Sequence, residues 1–106
     1  MTSLSQSQFL YLTTKGWETG KLHEIEIWFV NQNKNYYILS EHKKKSHWVQ
    51  NILHDSNISF QVNKKTFNGH ARILEDHMDK DLIIEISALM DKKYGWSGGL
   101  IVELNP

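Results

Sequence analysis

The stretch LHEIEIWFV, residues 22–30, decides the fold because apolar and polar side chains alternate along it. The two opposing sets are Ile25, Ile27 and Phe29 against Glu24, Glu26 and Trp28. A period of two residues is that of a β-strand with one face turned toward a core. We therefore predict a strand here, which returns from a hairpin turn that contains Gly16 and Gly20.

Further strands are predicted on both sides of this stretch, because apolar runs alternate with turn residues. They cover residues 9–14, 36–40, 57–63, 66–74 and 100–104. Gly69 lies inside the fifth of the six strands, so we expect a bulge or a close approach of another backbone at that point. Six strands joined largely by hairpins predict a mainly antiparallel sheet.

Two helices are predicted between the strands. The core-facing side of the short helix, which Ser46 opens, consists of Trp48, Val49, Ile52 and Leu53. The longer helix covers residues 76–93, and one of its faces carries Leu82, Ile86, Leu89 and Met90. Gly95 can cap its end. One short and one longer helix with six strands predict a single barrel-like α+β domain over residues 1–106.

Composition limits the class of protein. The 106 residues carry 12 Lys and Arg against 12 Asp and Glu, which argues against bulk nucleic acid or an anionic membrane as the main partner. There is no cysteine, so neither disulfides nor thiolate metal sites are possible. No apolar run approaches the ~20 residues of a membrane span, and the N-terminal MTSLSQSQ lacks the regions of a signal peptide. We therefore expect a cytoplasmic protein.

Three consecutive lysines, Lys43, Lys44 and Lys45, directly precede the short helix. This placement breaks a local rule, since a helix N-terminus carries partial positive charge and favours Asp or Glu. Such rule-breaking is most often found at functional sites. The junction of a strand end and a helix N-terminus suits phosphate, and Ser40 and Ser46 flank the lysines with hydroxyl groups. The lysines indicate an anion site, and the alternative is a solvated loop.

Three other motifs bear on function. GWSGG at residues 95–99 matches the pattern of a hydrolase nucleophile elbow, but a helix precedes Ser97 and no histidine follows it, so we expect a Gly-rich turn. The six histidines lack the i, i+4 spacing of helical metal ligands, and no zinc or iron site is predicted. The turn KGWETGK, residues 15–21, can present N–H groups and lysines to an anion, although Gly-bounded turns are common.

Several motifs together resemble the split β-barrel flavin-binding proteins of the pyridoxamine 5'-phosphate oxidase-like type, and specifically their deazaflavin-dependent nitroreductase branch. They are LTTKGWETGKLHEIEIWFV, YYILS, the basic loop, HWVQNIL, ISFQVN and FNGHARIL. Members of that branch typically show LTT-x-G-(R)-(K)-(S/T)-G, a P-L-W-F strand, a basic loop before W-V-x-N-L, and G-x-A-R. In this chain Trp17 and Glu18 replace the usual basic pair, and Glu26 replaces the strand proline.

The resemblance implies a six-stranded split β-barrel that binds FMN or F420 near a dimer interface. The phosphate contacts that it implies are Ser40, His42, Lys43, Lys44 and Lys45, to which the position of its hydroxyl beside the lysines adds Ser46. The ring pocket that it implies is formed by Ile27, Trp28 and Phe29. Hydride transfer belongs to the cofactor, so no residue is named as catalytic.

The function expected from these features is that of a small homodimeric oxidoreductase that uses FMN or F420 on an unidentified small molecule. The alternative from another class is a non-catalytic barrel that binds a small ligand or single-stranded nucleic acid. Binding of nucleic acid is the less favoured of these expectations because the formal net charge is zero.

Overall fold

The computed structural model describes residues 8–106. The expectation about a signal peptide concerns residues that lie almost entirely outside this range. The elements, in chain order, are β1 (Phe9–Lys15), β2 (Leu22–Gln32), β3 (Asn35–Ser40), a 3₁₀ turn (Lys43–Lys45), α1 (His47–His54), β4 (Asn57–Val62), β5 (Lys65–Ile73), α2 (Lys80–Tyr94) and β6 (Leu100–Asn105). The predicted fold class, α+β with six mainly antiparallel strands and two helices, is confirmed.

The six strands form a closed barrel in the order β1-β2-β3-β6-β5-β4. All six pairings are antiparallel. Strand β2 pairs with β1 over residues 22–28 but with β3 only over residues 29–32. In the described part of the chain, residues 22–28 of β2 therefore have a strand neighbour on one side only, and the barrel wall is split beside them.

Two apolar clusters lie on the two faces of the barrel wall. The cluster inside the barrel receives side chains from all six strands and from α1: Leu10, Leu12, Phe29, Ile38, Ile52, Ile58, Phe60, Val62, Ala71, Val102 and Leu104. The cluster under α2 consists of Val30, Tyr37, Leu39, Leu74, Ile86, Met90 and Ile101. Each fully buried aliphatic or aromatic side chain contributes about 1.5–3 kcal/mol. The two clusters fix α1 at the split and α2 on the opposite side of the wall.

Two hairpin turns share one sequence and one backbone conformation. Asn33 and Lys34 connect β2 to β3, and Asn63 and Lys64 connect β4 to β5. All four residues have positive φ angles, between 51° and 72°. Positive φ at both central residues is the signature of the type I′ turn, whose twist matches that of paired strands.

The close approach predicted at Gly69 is confirmed. A Cβ atom on this residue would lie 1.9 Å from the backbone oxygen of Asn105. Gly95 ends α2 in the left-handed conformation, with φ 76°, and so confirms the predicted cap.

The predicted start of the longer helix, Asp76, is wrong by four residues. The Asp79 carboxylate accepts a 2.8 Å hydrogen bond from the Glu75 backbone N–H and two 3.0 Å bonds from Arg72 Nη1. These bonds hold residues 75–79 in a turn, so that α2 begins at Lys80.

The predicted core position of Leu53 is also wrong, since this side chain is 52% exposed. Asn51 is buried in its place. The reason is that the Asn51 side chain has polar partners on β1 and on the β1–β2 turn, which turn that face of α1 inward.

Candidate functional site

An open groove of about 1040 Å³ runs beside the half of β2 that lacks a second strand neighbour. Three segments line it: the β1–β2 turn at residues 16–19, β2 at residues 23–27, and parts of residues 42–51 in the loop and α1. In antiparallel sheets an unpaired strand edge presents free N–H and C=O groups. The groove therefore combines side chains from three segments with backbone hydrogen-bonding groups.

Flat and apolar side chains form much of the groove wall. Ile25, Ile27 and Trp48 are partly buried and pack against the cluster inside the barrel. At the mouth, the indole of Trp17 stacks on His54 with ring centroids 4.2 Å apart and an angle of 6° between the planes. Such walls suit a planar ligand.

Asn51 is a groove residue that our reading of the sequence missed. Its Nδ2 donates to Thr14 Oγ1 at 3.0 Å, and its Oδ1 accepts from the Trp17 backbone N–H at 3.2 Å. Asn51 and Thr14 are both buried. Both partners lie more than thirty residues away in the chain, so no local pattern indicates these bonds. The one sequence feature that points to this role is the asparagine of the HWVQNIL motif.

The loop before α1 is held by two serine hydroxyls. Ser40 Oγ donates to the Lys43 carbonyl at 2.8 Å and lies 2.8 Å from Ser46 Oγ. Because the single Ser40 proton is used on Lys43, Ser46 is the donor in the serine pair. Ser40 is buried and therefore shapes the loop from beneath.

The predicted phosphate residues separate into two groups. His42, Lys45 and Ser46 border the groove. Lys43 and Lys44 border only a second hollow of about 530 Å³, next to Leu100, which His42 and Lys45 also line.

The predicted ring residues do not share one wall, because strand alternation puts Trp28 on the face opposite Ile27 and Phe29. Ile27 borders the groove, whereas Phe29 is buried inside the barrel. Trp28 lies on the outer face, where its ring stacks on that of Tyr94 at 4.3 Å.

The N-terminus of α1 has free donors beside the groove. Ser46 occupies the N-cap position but makes no capping hydrogen bond with its side chain. The backbone N–H groups of His47 and Trp48 begin the helix and therefore have no intrahelical acceptor. With the Lys45 ammonium nearby in the lining, these groups can hold an anion.

Three acidic residues, Glu18, Glu24 and Glu26, border the groove, and Lys45 is the one lysine or arginine among the described lining residues. Strand alternation turns the side chains of Glu24 and Glu26 to the face opposite Ile25 and Ile27. Glu26 also reaches the outer face of the sheet, where hydrogen bonding to its carboxylate raises the pKa of Tyr11. The groove therefore favours negative charge at one end only.

Within residues 8–106 no group of three or more His, Cys, Asp or Glu side chains is arranged to hold a metal ion. No helix in the same range has the length and apolar character that would let it cross a membrane.

Comparison with solved structures shows the fold. The heme storage protein HutZ from Vibrio cholerae is 18% identical, with a TM-score of 0.74 over 93% of this chain and 81% of that one. An F420-H2 dependent reductase, FDR-A, is 21% identical, with a TM-score of 0.63 over 92% and 94%. An FAD-binding protein from Mesorhizobium loti is 12% identical, with a TM-score of 0.71 over 95% and 82%. These likenesses place the barrel among the split β-barrels.

Comparison with protein families shows the family to which the chain belongs. No protein of curated function matches the chain. The model of the F420H(2)-dependent quinone reductase family matches residues 1–95, which is most of the sequence. The chain therefore belongs to the F420H(2)-dependent quinone reductase family and is a small flavin- or deazaflavin-binding oxidoreductase built on a split β-barrel.

Proposed function

We propose that the groove beside β2 is the cofactor site, with the ring against Ile25, Ile27 and Trp48 and the phosphate at the start of α1. The observation that carries this proposal is the uncapped α1 N-terminus, which opens into the same groove as the flat apolar wall. A planar ring joined to a phosphate needs these two features side by side.

The residues present fit such a cofactor. His42, Lys45 and Ser46 supply polar and cationic side chains at the phosphate end. Ser40 holds the loop in place from beneath, and Lys43 and Lys44 add positive charge from its far side. The free edge of β2 offers N–H and C=O groups to the polar rim of a ring.

The protein acts by binding and orientation. When bound, FMN or F420 supplies the hydride-transfer chemistry. The walls that Ile25, Ile27 and Trp48 form exclude water from one face of the site, and the uncapped helix end fixes the anionic end of the ligand. No general acid or base is required of these side chains, so none is assigned as catalytic.

The family description names F420H(2) as the donor and a quinone as the acceptor. We extend both to this chain as the first compounds to test. Reduced F420 should lose its reducing equivalents to a soluble quinone in the presence of the protein, and the absorbance change of the cofactor reports it.

A homodimer is part of the proposal. Phe9, Tyr11 and Trp28 are exposed on the outer face of β1 and β2, where Phe9 is the cross-strand partner of Trp28. Adjacent exposed aromatics on a soluble domain often mark an association surface. Light scattering at micromolar concentration should give twice the mass of 12.5 kDa. A monomer mass would contradict the dimer.

The binding test uses tryptophan fluorescence, because Trp17 and Trp48 border the groove. FMN and F420 are each titrated into the parent protein and into the triple variant Lys43→Ala, Lys44→Ala, Lys45→Ala. Charge-assisted hydrogen bonds are worth about 1.5–3 kcal/mol each, so we expect at least about tenfold weaker binding in the variant.

A matched control is the double variant Lys64→Ala, Lys65→Ala at the β4–β5 turn, which removes charge far from the groove. It should bind like the parent. Unchanged affinity of the triple variant, or no binding to the parent at all, would leave the lysine run as a solvated loop and overturn the site assignment.

A further inference from the structure

Among the residues that the structure describes, Trp17 is the one exposed large apolar side chain that borders the groove. It is 50% exposed, whereas Trp48, the other tryptophan of the lining, packs against the cluster inside the barrel. Core packing therefore does not account for Trp17. An exposed aromatic ring in the lining of a ligand groove is a candidate contact for the ligand itself.

The backbone at Trp17 is fixed by three hydrogen bonds. Within the turn, the Gly16 N–H donates to the Lys21 carbonyl and the Gly20 N–H donates to the Gly16 carbonyl, both at 2.7 Å. From α1, the Asn51 Oδ1 accepts the Trp17 N–H at 3.2 Å. The position of Trp17 is thus set by the fold before any ligand arrives.

The indole ring of Trp17 is held as well. His54 stacks on one of its faces, with centroids 4.2 Å apart and an angle of 6° between the planes. The His54 ring is anchored in turn, because its Nδ1 donates to the Gln50 carbonyl at 2.9 Å. His54 is not a lining residue of the groove, whereas Trp17 is. The face of the indole that His54 leaves uncovered is therefore available at the groove.

Trp17 lies at the end of the groove opposite to the phosphate end. Ser46 caps the start of α1, and His54, which carries the stack, is its last residue. A rise of about 1.5 Å per residue separates these two residues by about 12 Å along the helix axis. The ring site proposed above lies between them. A second planar molecule on Trp17 would therefore meet the cofactor ring and not its phosphate.

We propose that Trp17 binds the electron acceptor, which stacks as a planar fused-ring molecule on the uncovered face of the indole. His54 is a positioning residue that acts through Trp17. The inference rests on the proposed function and deepens it, because it names the residue that selects the acceptor. In the overall reaction the quinone takes up the two electrons and two protons that reduced F420 gives up. Stacking and apolar burial both grow with ring area, so a fused ring should bind more tightly than a single ring.

The binding step is tested without a cofactor. The two probes are 2,3-dimethyl-1,4-naphthoquinone and tetramethyl-1,4-benzoquinone, which share a fully substituted quinone ring and differ in the fused ring. Each is titrated into labelled protein and followed by NMR. The naphthoquinone should shift the Trp17 indole N–H signal more than that of Trp28, and it should bind about three- to tenfold more tightly than the benzoquinone.

Variants separate the plane of the indole from its apolar bulk. Trp17→Leu should weaken binding of the naphthoquinone about three- to tenfold and remove the preference for the fused ring, whereas Trp17→Phe should keep most of both. His54→Ala should weaken binding in part, and His54→Phe should restore it. The matched control is Leu53→Ala, since Leu53 is 52% exposed on the same helix but does not border the groove. It should bind both probes like the parent.

Turnover with reduced F420 gives the second readout. Trp17→Leu should raise the KM for the naphthoquinone by the factor seen in binding and leave the affinity for F420 and FMN unchanged. Equal quinone affinity in the parent and in Trp17→Leu would overturn the inference while leaving the proposed function standing. An equal loss of cofactor affinity would also overturn it, since Trp17 would then belong to the cofactor site. Quinone binding at Trp17 without turnover of any reduced cofactor would overturn the proposed function and uphold the stacking site.

Discussion

Asn51 ties α1 to β1 through a single 3.0 Å hydrogen bond from its Nδ2 to the buried hydroxyl of Thr14. The same side chain accepts the Trp17 backbone N–H and so also holds the β1–β2 turn at the mouth of the groove. Asn51→Leu should remove both bonds and leave buried groups without partners. We expect a loss of about 1–3 kcal/mol in the free energy of unfolding, measured by urea denaturation.

Leu53→Ala is the control for this prediction, because Leu53 is on the same helix but exposed. Its effect should stay within about 0.5 kcal/mol. A double-mutant cycle of Asn51→Ala with Thr14→Val should show coupling between the two residues. Purely additive losses would mean that the Asn51–Thr14 bond contributes nothing.

The hydroxyl of Tyr94 bridges the backbones of Gln8, just before β1, and Phe29 of β2. It accepts from the Phe29 backbone N–H at 3.0 Å and lies within donating distance of the Gln8 and Phe29 carbonyl oxygens. Tyr94→Phe should therefore destabilise the fold by about 1 kcal/mol while keeping the stack on Trp28. Tyr11→Phe, which removes an exposed hydroxyl, should have a smaller effect in the same urea measurement, and equal losses would argue against the Tyr94 bridge.

Gly69 allows the C-terminal end of β6 to approach β5. Gly69→Ala would place a methyl group 1.9 Å from the Asn105 oxygen, so one of the two strands must move. Overpacking of this kind costs about 1–3 kcal/mol, and we expect at least that loss in a thermal or urea melt. Asn68→Ala in the same strand should be nearly neutral. A neutral Gly69→Ala variant would show that the strand pairing here is loose.

The raised pKa of Tyr37 predicts that the protein loses stability at alkaline pH. Burial, with the hydrogen bond to Glu103, raises the pKa of Tyr37 from 10.0 to about 12. The folded state therefore keeps this proton where the unfolded chain has released it. The stabilisation is complete below pH 10 and declines as the pH rises from 10 through 12.

Urea denaturation at pH 9 and at pH 11.5, for the parent and for Tyr37→Phe, isolates this contribution. The parent should lose more stability than the variant over the interval, although the pKa values of Tyr11 and Tyr94 are raised as well and remain in both proteins. Identical losses would remove Tyr37 as a source of the pH dependence.

Much of the barrel could be predicted from the sequence, because local patterns of apolar and polar residues indicate where its strands lie and which side chains face inward. The alternation around Ile25 and Ile27 fixes which side of β2 faces inward, and this follows from strand geometry alone. The start of α2 was misplaced because Asp79 bonds Arg72 and Glu75 instead of extending the helix. That choice depends on a contact from β5, which no local pattern encodes.

The candidate site was predictable only in outline. The lysine run was identified by its conflict with the helix dipole. That Lys45 reaches the groove while Lys43 borders only the hollow next to Leu100 depends on the left-handed backbone of Lys43, whose carbonyl Ser40 holds. Asn51 escaped notice because its partners are distant in the chain. Alternation along β2 indicates that Ile27 and Trp28 point to opposite faces of the strand. The resemblance nevertheless placed both residues in one ring pocket.

The split beside residues 22–28 of β2 also bears on how the protein avoids aggregation. Closure of a barrel normally removes every exposed strand edge, and an exposed edge invites another chain to add a strand. Here the edge of β2 is open over residues 22–28, and β5 is likewise paired on one side only over residues 65–69. The α1 segment stands across the β2 edge, and Glu24 and Glu26 place charge along it, both of which hinder strand addition by another copy. A ligand lying in the groove would add to this protection, because the opening that admits a small molecule also exposes the strand edge that the ligand would cover.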